Sequence, residues 1–297
     1  MALRVRGETV EEITGAVRTM RAKALMIEAP AGAMDVVGTG GDAKGTFNIS
    51  TAAAFVVAGA GVPVAKHGNK AQTSKSGSAD VLAALGVNLD ADTVLVEEAM
   101  VEAGIGFLMA PRHHGAMGHV AAARGQLGIR TIFNLLGPLA NPAGAKRQLI
   151  GVFSRDWIEP MAQVLGRLGA ERAWVVHGSD GMDEITTTGP SYVAELKDGA
   201  VTMFEVSPQD ADLPLAKEAD LLGGDAQANA ETLNALLDGA QGPIRDIVVL
   251  NAAASLVVAE KAPDLRDGAK MAQEAIDNGK GKETLARLVE ITNKATG

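Results

Sequence analysis

The chain has 297 residues, 27 Lys and Arg against 36 Asp and Glu, and no cysteine. That length suits one or two domains around a sizeable buried core, while a net charge of −9 argues against a nucleic-acid partner, because phosphate backbones call for clustered cations. Without cysteine, disulfides, thiolate zinc sites and cysteine nucleophiles are excluded; this fits a reducing, cytoplasmic setting and leaves room for a local basic pocket for a small phosphorylated ligand.

The first eight residues carry charges where a signal peptide needs an apolar run. Apolar Val10, Ile13, Val17 and Met20 then predict a helix over 8–26. A short strand over 33–37 runs into a glycine cluster, and a buried helix follows over 48–58. A second strand spans 62–65, helices 78–85 and 91–103, a strand 105–109 and one further helix 113–127. The uncharged stretch 45–65 is broken by Asn48, Ser50, Thr51 and Pro63, so no membrane span is expected. Strands at 149–153 and 173–176 flank a helix at 159–168, and residues 185–188, 192–196 and 201–205 are expected as antiparallel segments. Residues 210–229 are the most linker-like, and helices are expected over 247–260 and 269–292. Strands alternating with helices of this length predict an α/β fold with a mostly parallel central sheet flanked by helices. The helices at 8–26 and after His113 have no strands beside them. The expected division is therefore a small helical domain (1–30 with about 113–135) and a large α/β domain (31–112 and 136–297).

Chemistry concentrates in three places. Gly38-Thr39-Gly40-Gly41-Asp42 leaves a strand and leads through Thr46 and Asn48 into a helix; backbone N–H groups there can reach phosphate oxygens, helped by the helix N-terminus. The spacing fits neither a dinucleotide fingerprint, since position 43 is Ala, nor a Walker loop, since the order is Lys44-Gly45-Thr46. An ordinary glycine turn capping a helix through Ser50 or Thr51 is the competing interpretation. Residues 66–78 then hold three lysines, four hydroxyls and two glycines within thirteen residues, a cradle for a phosphorylated sugar. Both loops follow strands and so should emerge at one carboxyl edge of the sheet. Third, adjacent Asp183 and Glu184 offer hard oxygen ligands suited to Mg²⁺ on a diphosphate, with an acidic surface turn as the alternative. His113, His114 and His119 lack helical zinc-ligand spacing; His177 precedes the acidic turn and is expected to orient it.

The strings GTGGD (38–42), TFNIST (46–51), KHGNKAQTSKSGSADVLAALG (66–86), GIRTIFNLLGPLANP (128–142) and GMDEITTTGP (181–190) resemble the anthranilate phosphoribosyltransferases of tryptophan biosynthesis, along almost the whole chain. The resemblance implies a small helical domain, a large α/β domain, a homodimer, and transfer of phosphoribosyl from phosphoribosyl pyrophosphate (PRPP) to anthranilate. It implies PRPP contacts at Gly38, Gly41, Asp42, Thr46, Asn48, Ile49, Ser50, Thr51, Lys66, His67, Gly68, Asn69, Lys70, Ala71, Gln72, Thr73, Ser74 and Ser78. Anthranilate falls to Gly38, Asn69 and Arg124, and Mg²⁺, as two ions, to Ser50, Asp183 and Glu184. Three departures stand out: Lys70 where Arg is frequent, Gly115 where Pro is usual, and a start about 40 residues into the family's small domain. A pyrimidine nucleoside phosphorylase of the same class needs no paired Mg²⁺ site, and a non-catalytic nucleic-acid-binding relative should be basic; the acidic pair and the net charge oppose them.

Overall fold

The computed structural model describes residues 2–71 and 75–295. Helices α1 (Ala2–Arg6) and α2 (Val10–Ala22) open it, followed by β1 (Met34–Gly38), α3 (Ile49–Gly59), β2 (Val64–Gly68), α4 (Ser78–Ala84), α5 (Thr93–Glu102) and β3 (Ile105–Met109). Then α6 (Ala110–His113), α7 (Gly118–Leu127) and α8 (Phe133–Leu139) lead to β4 (Arg147–Gly151), α9 (Ile158–Arg167) and β5 (Arg172–Gly178). A hairpin of β6 (Ser191–Lys197) and β7 (Ala200–Val206) precedes α10 (Ala226–Leu237), α11 (Pro243–Val258), α12 (Leu265–Asp277) and α13 (Lys280–Thr292).

The seven strands form one sheet in the order β3-β2-β1-β4-β5-β6-β7. The first five are parallel, and β6 and β7 join antiparallel, as expected for a mostly parallel α/β sheet. The chain builds outward from β1 to β3, then returns to place β4 on the other side of β1. That reversal puts a crevice outside the carboxyl ends of β1 and β4, where open parallel sheets bind ligands.

Strand side chains alternate between faces. Met34, Val36, Leu149, Trp174 and Val176 therefore face α3 and α11, behind which α12 and α13 close the same core, while Ile150, Ala173 and Val175 share a core with α8 and α9. Ile13 and Val17 of α2 belong to this second layer; α2 itself starts with a reciprocal cap between Thr9 and Glu12. With few aromatics, the core gains density from close helix approach. A Cβ on Gly59 of α3 would lie 2.7 Å from the backbone nitrogen of Gly281 in α13, so only glycine permits that crossing.

Four predicted elements differ. Residues 113–127 do not form one helix: α6 ends at His113, Gly115–Met117 make a 3₁₀ turn, and α7 starts at Gly118. Three glycines, Gly115, Gly118 and Gly125, weaken that stretch, and α7 buries no residue that would hold a longer helix together. Residues 269–292 are divided by Gly279, in the left-handed region at φ 76°. Residues 185–188 form no strand, because the N–H groups of Ile185, Thr186 and Thr188 go to side chains, as described below. Residues 210–229 are no linker; they contain the 3₁₀ turn Glu218–Leu221 and enter α10, whose Asp225 side chain accepts from Ala228 N at 2.9 Å. Helix α8 carries Pro138 inside it, a residue that masks a helix from its sequence.

Candidate active site

Gly38 and Gly151 end β1 and β4 as register partners, and together they make a slot for the acidic pair. A Cβ on Gly151 would stand 1.6 Å from the Asp183 carbonyl oxygen, and one on Gly38 2.5 Å from Asp183 Oδ2. No side chain fits at either position while Asp183 stays where it is. From that seat Asp183 Oδ2 accepts from Gly40 N at 2.6 Å, and Glu184 Oε1 accepts from Ser50 N at 3.1 Å. Glu184 thus takes the N-terminal dipole of α3. The glycine loop turns back through positive φ at Gly40 and Gly41, bringing Asp42 Oδ2 within 3.4 Å of Asp183 N.

Three carboxylates crowd one another here. Withdrawal from water, then the charges of Asp42 and Glu184, push the Asp183 carboxyl well above its ordinary range. Burial raises Glu184 to about 7 against the opposing pull of Lys66. Lys66, buried on β2, donates from Nζ to Val36 O at 2.7 Å and to Ser50 Oγ at 3.5 Å; burial lowers its pKa while Asp35 and Glu184 oppose the shift. Like charges held together by the fold favour a dication. Among the described residues no three His, Asp or Glu side chains form a closed metal cage. Mg²⁺ ordinarily uses one or two carboxylates plus waters and phosphate oxygens, and the oxygens of Asp183, Glu184 and Ser50 fit that mode.

The second loop lies beside the first. Asp80 Oδ2 accepts from Ala71 N at 2.8 Å and Gly77 N at 2.9 Å, drawing those two residues together at the start of α4. Ser78 Oγ donates to Asn69 O at 3.3 Å, and Gly68 is held to glycine because a Cβ would meet Ser78 Oγ at 2.3 Å. Asn48, at the cap position of α3, makes no capping bond. It donates instead to Ser76 O at 3.2 Å and accepts from Asn229 Nδ2 at 2.8 Å, tying the two loops together. Thr46 pairs with Leu222 in an isolated bridge. Ile49 and Thr51 are buried in the first turn of α3, and Lys70 is exposed. Gln72, Thr73 and Ser74 lie outside the described residues.

His67 faces the opposite side of the sheet. Its Nδ1 donates to Gly137 O at 3.1 Å, which leaves Nε2 as an acceptor. Burial, then His114, drive its pKa down to about 3. The His114 ring stands edge-on at 5.1 Å, and His67 Nε2 and both His114 nitrogens make no hydrogen bond among the described residues. His113 is a packing residue whose Nδ1 donates to Leu25 O at 2.7 Å. His177 does not orient the acidic turn; its Nδ1 donates to Val152 O at 2.7 Å and joins β5 to the end of β4.

Arg124 sits on α7 over the Phe133 ring at 5.4 Å and makes no hydrogen bond to Gly38 or Asn69. Arg130 does reach the glycine loop: it bonds Gly41 O and lies over Phe153 at 4.4 Å. Sequence reasoning singled out Arg124 and passed over Arg130, although both stand near the start of the 128–142 string. Spacing alone carries no sign of which arginine folds back onto the loop.

Residues 31–282 match the a/b domain of a glycosyl transferase family, and residues 1–24 its helical bundle domain. The chain is 69% identical to the anthranilate phosphoribosyltransferase of Rhodospirillum rubrum, over 98% of this chain and 84% of that one. It is 65% identical to that of Paramagnetospirillum magneticum, over 100% and 86%. The solved anthranilate phosphoribosyltransferase of Thermus thermophilus superposes with a TM-score of 0.94 at 45% identity, covering 99% of this chain and 88% of that one. The Saccharomyces cerevisiae enzyme in complex with PRPP and Mg superposes with a TM-score of 0.89 at 30% identity, covering 98% and 83%. With its crevice, acidic pair and paired loops, the chain belongs to the anthranilate phosphoribosyltransferase family.

Proposed function

We propose that the crevice outside β1 and β4 performs the family's reaction, transfer of phosphoribosyl from PRPP to the amine of anthranilate. The C1–O bond to pyrophosphate breaks with its electron pair, an N–C1 bond forms, and the amine loses a proton. The products are N-(5-phosphoribosyl)anthranilate and pyrophosphate. Displacement at an anomeric carbon passes through an oxocarbenium-like state with charge growing on the leaving group. The Lys66 ammonium, held by Val36 O and Ser50 Oγ before reaction begins, is the donor that would face that charge, while the Gly40 and Ser50 N–H groups are taken up by Asp183 and Glu184 and fix those carboxylates. Ser50, Asp183 and Glu184 would hold Mg²⁺, proposed as two ions, which would supply positive charge beside the departing pyrophosphate. Gly38, Asn69 and Arg124 would place anthranilate, a role in orientation. An aromatic amine is already neutral at pH 7, so no strong base is needed.

The observation that carries this reading is the Asp183 seat between Gly38 and Gly151, which brings the two carboxylates proposed for the metal, the glycine loop and Lys66 to one edge. The yeast relative's complexes with PRPP and Mg and with 4-fluoroanthranilate support the ligands. No helix among the described residues is long and apolar enough to cross a membrane, and we place the enzyme in the cytoplasm. We further propose a homodimer through the helical region, supported by exposed Val5, Leu25 and Met26; light scattering checks it. The reaction is tested by mass detection of the product: it should appear with pyrophosphate in equal amounts and only with Mg²⁺. Pyrophosphate release that does not depend on anthranilate would overturn the assignment.

A further inference from the structure

Asn251 lies fully buried, 0% exposed, in the middle of α11 among apolar neighbours. Asparagine is a poor choice for a helix interior, and a buried amide is costly unless its bonds are made. All of them are directed at two backbones. Oδ1 accepts from Ile185 N at 3.0 Å, and Nδ2 donates to Ile185 O at 2.8 Å and to Ile247 O at 2.9 Å. The side chain does for Ile185 what a neighbouring strand would do. Residue 186 is tied next: Thr186 Oγ1 and Thr188 Oγ1 donate to Asp180 Oδ2 at 2.6 and 2.8 Å. Residue 183 is confined by the glycine slot. Glu184 thus sits between two pinned residues.

We infer that Asn251 is a positioning residue for the metal site, its two-point grip on Ile185 holding the Asp183–Glu184 pair against the carboxyl edge of the sheet. The inference rests on the assignment of Mg²⁺ to those two carboxylates. Groups that orient metal ligands from behind typically cost 10- to 100-fold in metal affinity when removed. A purely structural amide would cost stability alone.

The test is Mn²⁺ titration, followed by electron paramagnetic resonance, of protein with PRPP and no anthranilate. Asn251→Ser should raise the Mn²⁺ Kd about tenfold and move the Mg²⁺ half-saturation in parallel, with the anthranilate KM at saturating Mg²⁺ unchanged. Ser255→Ala, one turn along α11, removes only a bond to Asn251 O; it should lower the melting temperature without moving Mn²⁺ affinity. If Asn251→Ser does not fold, the near-isosteric Asn251→Asp, which sets a second acceptor against Ile185 O, takes its place with the same expectation. Parental Mn²⁺ affinity in a folded Asn251 variant overturns the inference. Glu184→Gln separates the two levels. If it leaves Mn²⁺ binding intact, the metal assignment fails and takes this inference with it; if it weakens binding and the Asn251 variants do not, only the positioning role falls.

Discussion

The acidic turn at 183–184 and the helix bearing Arg124 make a useful contrast. The turn is locked from every side, by two glycines, an asparagine and an aspartate, and Glu184 and Ile185 are buried. Helix α7 buries none of its ten residues and follows a 3₁₀ turn framed by Gly115 and Gly118. Segments with few buried contacts open locally at low free energy. The half of the crevice proposed for diphosphate and metal is therefore built in advance, while the half proposed for anthranilate rests on a lightly supported helix.

Substitutions should break the two halves differently. The largest effect is expected from Glu184→Gln, a loss of roughly 10²-fold or more in kcat/KM for PRPP, on the scale of removing one preorganised charge-stabilising group. Because it also removes one of three crowded carboxylates, its melting temperature should hold or rise, and kinetics beside calorimetry check both. Gly151→Ala comes next. Its Cβ must displace the Asp183 carbonyl, so kcat/KM for PRPP should fall at least tenfold, on the scale of a one-ångström misplacement, with about 1–3 kcal/mol lost in stability. Arg124→Ala should raise the anthranilate KM severalfold with the PRPP KM unchanged and stability within about 0.5 kcal/mol; an unchanged anthranilate KM sinks the assignment.

The last effect is on the pH dependence of stability and leaves turnover aside. The folded pKa of His67 is depressed to about 3, so its contribution is present above the unfolded value of about 6.5 and fades as pH falls toward 3. Asp35, pushed up to about 6 by burial, works the other way: its stabilisation is present below its unfolded value and lost as pH rises through 6. Between pH 7 and 5 the parent should therefore lose about 2 kcal/mol more stability than His67→Gln. Denaturant melts at the two pH values measure that difference, and equal losses would contradict it.

The same contrast explains what could be seen in the sequence. Strands β1, β2, β4 and β5 close at Gly38, Gly68, Gly151 and Gly178, and with the loops after β1 and β2 they were legible because glycine has few reasons to stand at a strand's end other than close approach. Strand β3 was legible from its apolar run Ile105–Met109. The clamp on 185–188 was hidden. Three β-branched threonines and isoleucine suggest a strand, yet their partners are Asn251, Asp180 and Ser191, and Asn251 is 66 residues distant from Ile185. Asn229 was hidden similarly, inside a stretch whose polar composition suggests a linker although the residue is buried and supports Asn48. The contact of Arg130 with Gly41 depends on how residues 128–132 fold back, which no local pattern specifies.

The most direct test of the account compares anthranilate consumption, followed by its fluorescence with PRPP at graded Mg²⁺, in the parent and in Glu184→Gln. The account predicts Mg²⁺-dependent loss of signal in the parent and a variant that needs far more Mg²⁺ or does not turn over at any concentration. Equal rates with the same Mg²⁺ midpoint would contradict it and move the metal away from the carboxyl edge of β1 and β4.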